Sequence, residues 1–231
     1  MKVILIMSMF SVIFWAGFEQ AGGLLNIYAN EKVNLALPLI GSSVPASWFQ
    51  SVNAFFIIVF GTSVAAFWVN RARKGKEVSS LFKMAVGTII MGSGFLMMAG
   101  AATEAGSMPF GKSAMFWLVL AYLLHTIGEL CASPVALSFI TKLAPVKYAS
   151  IMMGVYFAAT GLGNKVAGLV GAMSEGAGEF QVFTGIAVFC TLFGVLILLI
   201  LKPLKRLTHG AENIQGTSNE EAEGFELADN N

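Results

Sequence analysis

Charge is what this sequence has least of. Asp, Glu, Lys and Arg make up 12% of its 231 residues, about half the share typical of soluble domains. Neither sign dominates: 14 Lys plus Arg stand against 13 Asp plus Glu, so no net field draws in nucleic acid and a nucleic-acid partner is not expected. Cysteine is nearly absent. Cys131 and Cys190 both sit inside apolar runs with no CxxC, CxxCH or His-paired zinc spacing around them, which reads as two buried free thiols and no metal centre. HExxH, P-loop and dinucleotide patterns are also missing, and pairs such as Gly161 and Gly163 read as packing glycines, so no enzyme is expected.

What is present is apolar. Hydrophobic residues account for 56% of the chain and the mean hydropathy is +0.75, values that place it in a lipid bilayer. Six spans of about 20 residues fit this length, and twelve do not. Apolar windows between polar breaks predict helices at about 2–30, 47–70, 80–102, 112–143, 148–174 and 179–203. The expected fold is therefore an all-α, six-helix transmembrane bundle over residues 1–207. Lys2 precedes the first apolar stretch as in a secretory signal, but no convincing cleavage site follows and Glu19 lies in its helical continuation; we read it as a retained span. From Thr208 the composition turns polar and holds six of the thirteen acids, which predicts a disordered acidic tail over 208–231.

The cations sort by side. Lys2, the cluster Arg71, Arg73, Lys74, Lys76 and Lys83, the pair Lys142 and Lys147, and Lys202, Lys205 and Arg206 fall at one end of six alternating spans; only Lys32 and Lys112 fall at the other. By the positive-inside rule both termini face the cytoplasm, with the bundle in the cell inner (plasma) membrane.

Ionisable groups left inside the spans need a reason, because each central charge costs about 2.5–3.5 kcal/mol on insertion scales. Glu19, Glu129 and Lys165 are three such groups and His125 is a fourth candidate. Transport of a charged solute supplies a reason; a buried ion pair between Lys165 and either glutamate is the structural alternative. Trp15 and Glu19 share a helical face, with Gly22 and Gly23 within one further turn. On the fourth span His125, Glu129 and Ser133 form a stripe that turns about 40° per step. Pro134 follows directly and predicts a kink, either a gating hinge or a packing feature. His125 taken alone suits a hydrogen-bonded core position or a proton relay. On the fifth span Gly163, Ala167 and Gly171 make a small-residue ridge, and Lys165, roughly 200° round from it, is expected to face a cavity. Asn53 reads either as a ligand-binding side chain or as a link between helices.

Four segments together carry a family resemblance: FWAGFEQAGG at 14–23, FQSVNAFFIIVFG at 49–61, GELCASPVALSFITKLAP at 128–145 and MGVYFAATGLGNKVAG at 153–168. In this order they resemble the carboxy-terminal six-helix half of the proton-dependent oligopeptide transporters of the major facilitator superfamily. The resemblance implies proton-coupled symport of di- and tripeptides, with protons as coupling ion and no other cofactor. Glu19 then matches a proton-coupling glutamate with Trp15 in the cavity wall. Asn53 matches a pocket asparagine, and Glu129 matches a glutamate that receives the peptide's amino terminus, with Ser133 beside it. Tyr156 stands where many bacterial members have tryptophan and Ala136 where glycine is frequent. Lys165 lies in a matching segment without an implied role; facing a cavity, it is counted with Trp15, Asn53, Glu129, Ser133 and Tyr156 among the expected substrate-binding residues. The ExxER and FYxxIN segments of the amino-terminal half have no counterpart here. The expected partners are small peptides, membrane lipid and a missing amino-terminal bundle. A non-transporting gene remnant or assembly module, and a homodimeric half-size carrier, are the other readings.

Overall fold

The computed structural model describes residues 2–37, 42–76, 78–143, 146–174 and 176–207; the acidic tail expected over 208–231 lies outside them. The chain folds as α1 (Lys2–Phe18), a single 3-10 turn (Glu19–Ala21), α2 (Leu24–Lys32), α3 (Trp48–Arg73), α4 (Ser80–Ser107), α5 (Met115–Leu143), α6 (Ala149–Met173), α7 (Glu179–Leu199) and a short α8 (Leu201–Leu207). Two-residue strands β1 (Val33–Asn34) and β4 (Ser113–Ala114) pair in parallel, and β2 (Ala36–Leu37) pairs antiparallel with β3 (Ser42–Ser43). The first pair ties the end of α2 to the start of α5, which puts both on the side of Lys32.

Among the described residues, four helices are long and apolar enough to cross a membrane: Trp48–Arg73, Ser80–Ser107, Met115–Thr141 and Glu179–Leu199. The expected count of six is met only in part by that measure. α6 is diluted by Asn164, Lys165 and its glycines. The first span differs more: a continuous helix over 2–30 is expected, and the structure interrupts it after Phe18. Two adjacent glycines remove the side chains that would favour continuation, and Gly23 leaves helical geometry at φ −97°, ψ −100°. The amides of Gly22 and Gly23 both donate to the Glu19 carbonyl, at 3.1 and 3.3 Å. Side chains stabilise the break from outside. The Tyr122 hydroxyl donates to the Ala21 carbonyl at 3.0 Å, and Gln20 Nε2 donates to the carbonyls of Ala16 and Ala167, each at 3.1 Å.

α4 is the centre of the bundle, packed between α5 and α7, while α1 packs on α6 and α3 on α5. Lipid tails are as apolar as leucine, so close approach of backbones decides which helices associate. At the α4–α5 crossing an added Cβ on Gly87 would lie 2.6 Å from the Gly128 carbonyl oxygen, and one on Gly128 the same distance from that of Gly87. Gly194 approaches α4 similarly, with its Cβ position 2.9 Å from the Ala85 carbonyl oxygen. The α1–α6 crossing is set by Gly163, whose Cβ position is 2.8 Å from both Trp15 Cβ and the Val12 carbonyl oxygen. Met84, Met91, Phe95 and Met98 of α4 fill the buried core with Leu118, Tyr122, Phe139 and Ile140 of α5.

Candidate functional site

The tight α4–α5 crossing fixes the height and rotation of the residue that follows Gly128. Glu129 is half-buried, and its Oε2 accepts a hydrogen bond from Asn53 Nδ2 of α3 at 2.9 Å. The same amide donates to Thr126 Oγ1 at 3.1 Å, and that hydroxyl donates to the Tyr122 carbonyl at 2.8 Å. Both amide protons of Asn53 are therefore spent on α5. Asn53 links two helices, and it does so through the candidate carboxylate itself.

A concavity of about 470 Å³ opens beside Glu129, lined by Trp15 of α1, Ile57 of α3, Ser133 and Pro134 of α5, and Tyr156 and Thr160 of α6. Its size falls within the range of small-ligand pockets. Glu19 lies elsewhere. With Gln50, Asn53, Tyr122 and His125 it lines a smaller cavity of about 170 Å³. It also borders a groove of about 780 Å³ that runs past Tyr28, Lys32, Asn164 and Glu179. Asn53 thus joins the two carboxylates' surroundings, bonded to Glu129 and bordering the small cavity of Glu19. The Glu19–Gly23 break creates this placement, because it puts the carboxylate at the end of α1 and not inside a continuous rod.

The expected stripe on α5 divides. Glu129 and Ser133 face the 470 Å³ concavity, whereas His125 borders the small cavity of Glu19 and its ring packs toward Gly94 and Phe95 of α4. His125 is fully buried, packs 4.6 Å from the Phe95 ring centroid, and neither ring nitrogen has a hydrogen-bond partner among the described residues. Gly94 makes room for the imidazole, since a Cβ there would lie 2.5 Å from His125 Cδ2. Pro134 lies inside α5, which stays helical through it.

Lys165 lies on the side of α6 away from its packed small-residue ridge, as the spacing predicts. The buried face of α6 is Tyr156, Ala159, Gly163 and Ala167, and a residue two positions from Gly163 points about 200° away. The lysine is accordingly exposed, lines none of the cavities described above, and pairs with neither Glu19 nor Glu129. The alternative of a buried Lys165–glutamate pair falls with it. An ion pair does form at the far end of the bundle, where Lys32 Nζ lies 3.6 Å from Glu179 Oε1. Sequence reasoning missed Gln20, Tyr122, Thr126 and Thr160. The first three brace the break and the Asn53 link, and their only sequence signal is polarity within otherwise apolar spans. No cluster of metal-ligating side chains occurs among the described residues.

This geometry can be set beside known proteins. The pattern that defines the POT family (PTR2) matches residues 1–184. A peptide transporter of Yersinia enterocolitica, YePEPT, is 35% identical over 207 residues, covering 87% of this chain and 40% of that protein. The di-/tripeptide transporter of Lactococcus lactis subsp. cremoris is 28% identical, over 85% of this chain and 39% of its own length. A crystal structure of a peptide transporter POT in complex with sulfate superimposes with a TM-score of 0.79 at 28% identity, covering 89% of this chain and 40% of that one. The chain thus spans about 40% of the length of the relatives it matches. With the family pattern running over most of a multi-pass helical bundle, the chain belongs to the POT family of transporters.

Proposed function

We propose that the chain is the carboxy-terminal half of a proton-coupled di-/tripeptide symporter of the cell inner membrane, and that it turns over only when an amino-terminal six-helix bundle completes the cavity. The observation that carries this reading is the Asn53–Glu129 hydrogen bond across α3 and α5, with Glu19 in the adjoining cavity. A peptide's ammonium group is the natural counter-ion for Glu129, and to receive it the carboxylate exchanges the Asn53 amide for a charged donor. Ser133, Trp15 and Tyr156 form the wall on which the peptide rests. Protonation of Glu19 removes a charge from the break in the first span and weakens ionic contacts to the companion bundle, which permits reorientation. His125, which borders the same small cavity, is the candidate relay for that proton, and Pro134 beside the concavity is the candidate hinge. The orientation with both termini cytoplasmic rests on the clustering of cations at one end, supported by Arg73, Lys76, Lys83 and Lys205 bordering one concavity.

The test is uptake of a labelled dipeptide into liposomes holding this chain together with an amino-terminal bundle. Glu19→Gln is expected to abolish accumulation driven by an inward proton gradient while leaving peptide exchange at equal pH on both sides. Gradient-driven accumulation that survives the substitution refutes the assignment. Failure of the unaltered pair to take up any peptide points instead to a remnant or assembly role.

A further inference from the structure

The groove of about 780 Å³ that borders Glu19 is separate from the concavity beside Glu129, and it leads to a different place. α1 and α6 lie side by side and run in the same direction, since Ser11 Oγ meets Thr160 Oγ1 at 3.5 Å and Gln20 Nε2 donates to the Ala167 carbonyl at 3.1 Å. Along α6 the groove follows Asn164, Gly168 and Gly171 to Ser174, a stretch that rises about 15 Å. That is half of a hydrocarbon core about 30 Å thick. Glu19 borders the inner end, near Asn164. The Lys32–Glu179 ion pair and the exposed Glu31 border the outer end, which the distribution of cations assigns to the outside. Small residues leave the groove room, because a Cβ on Gly168 or Gly171 would meet nothing within 4 Å. Its titratable lining is Glu19, Tyr28, Glu31, Lys32 and Glu179, and with Asn164 these groups offer water hydrogen-bond partners from one end to the other. The concavity beside Glu129 takes Trp15 from the first span, and not Glu19.

We infer that this groove is a water-filled path by which protons reach Glu19 from outside without passing the peptide. Glu31 and Glu179 outnumber Lys32 at the mouth, which favours the arrival of a cation. A proton carried inward as hydronium forms an O–H bond with a carboxylate oxygen of Glu19 and leaves a water molecule behind. Proton loading is then independent of whether peptide occupies the concavity beside Glu129. The inference rests on the proton-carrying role proposed for Glu19.

The test has two arms. In the first, the full chain in right-side-out membrane vesicles meets a membrane-impermeant cationic methanethiosulfonate added outside; Cys131 and Cys190 are buried, so the unaltered chain is the blank. Asn164→Cys should react at least about tenfold faster than Leu162→Cys, which is exposed on α6 outside the groove, because the reactive thiolate is suppressed in hydrocarbon. Adding Gly168→Trp to Asn164→Cys should slow the reaction about tenfold. Gly161→Trp, on the same face of α6 but outside the groove, should not slow it. In the second arm, with an amino-terminal bundle in liposomes, Gly168→Trp and, separately, Gly171→Leu should slow gradient-driven dipeptide accumulation by a similar factor and leave exchange at equal pH unchanged. Equal reaction at positions 164 and 162, or a rate at 164 indifferent to Gly168→Trp, overturns the inference and leaves the role of Glu19 standing. Gradient-driven uptake undiminished by both groove variants does the same. An unaltered pair that takes up no peptide sinks the underlying reading and the inference together.

Discussion

α3 and α4 are both long apolar helices, yet 61% of α4's central window is buried inside the bundle against 6% of α3's. The more apolar of the two is α3. In water that order would be reversed, because burial follows hydrophobicity; in lipid an apolar surface is equally at ease facing tails or neighbours. What separates the two is how closely each can be approached. α4 meets partners through Gly87, Gly92 and Gly94, whereas α3 is buried chiefly at Phe49 and Trp68 near its ends and is tied to α5 by one polar side chain in its second turn, Asn53. The bundle therefore has a rigid slab of α4, α5 and α7 and a sparsely covered front of α1, α3 and α6. The candidate carboxylates lie where the two meet.

The comparison breaks most sharply at the slab. Gly128→Leu drives a side chain into the Gly87 carbonyl and the Met91 backbone, so folded, monodisperse protein should be largely lost; overpacking of this kind costs about 1–3 kcal/mol or more. A yield and melting temperature equal to the unaltered chain would show that α4 and α5 can part without penalty. Gly94→Ala, with His125 as the side chain in the way, should lower the melting temperature by less, because an imidazole tip can shift where a backbone cannot. Asn53→Ala removes the polar tie between α3 and α5. Stability should fall by about 1 kcal/mol, and in a reconstituted pair dipeptide uptake should drop about tenfold through the misplaced Glu129; unchanged uptake would mean that Asn53 serves packing alone. The smallest effect is expected at the front, where the Cβ of Gly61→Ala on α3 meets only Leu130 Cδ2, at an ordinary van der Waals distance of 4.0 Å, and the change should stay within about 0.5 kcal/mol.

The fold class is legible in the sequence, because scarce charge and long apolar runs leave no soluble alternative. The candidate site is legible in its parts more than in its arrangement. Glu19 and Glu129 stand out as acids in apolar spans, and four-residue spacing groups Glu129 with Ser133. The same spacing also enrolled His125, but a drift of about 40° per step carries it round to another cavity over a single interval. The break after Phe18 was hidden because Gly22 and Gly23 suit close packing as well as chain reversal, and the partners that decide between them, Tyr122 and Gln20, lie on or reach other helices. The position of Lys165 opposite the small-residue ridge follows from helix geometry, but periodicity does not say whether the far side of a helix meets a cavity, a lipid or nothing within this chain. The bond from Asn53 to Glu129 spans 76 residues, and no local pattern reports a contact of that range.

The interruption between α1 and α2 has one more consequence. A regular helix keeps its amide groups occupied by itself, and irregular backbone survives at bilayer depth only inside protein or beside water. Here one tyrosine hydroxyl and one glutamine amide attend to three carbonyl groups around the interruption, and the exposed Gly22 adds peptide surface that hydrocarbon would not tolerate. The main chain itself thus demands hydration at that level of the bundle, before any solute or coupling ion arrives, and a lipid that sealed this face would work against the fold as well as against its use.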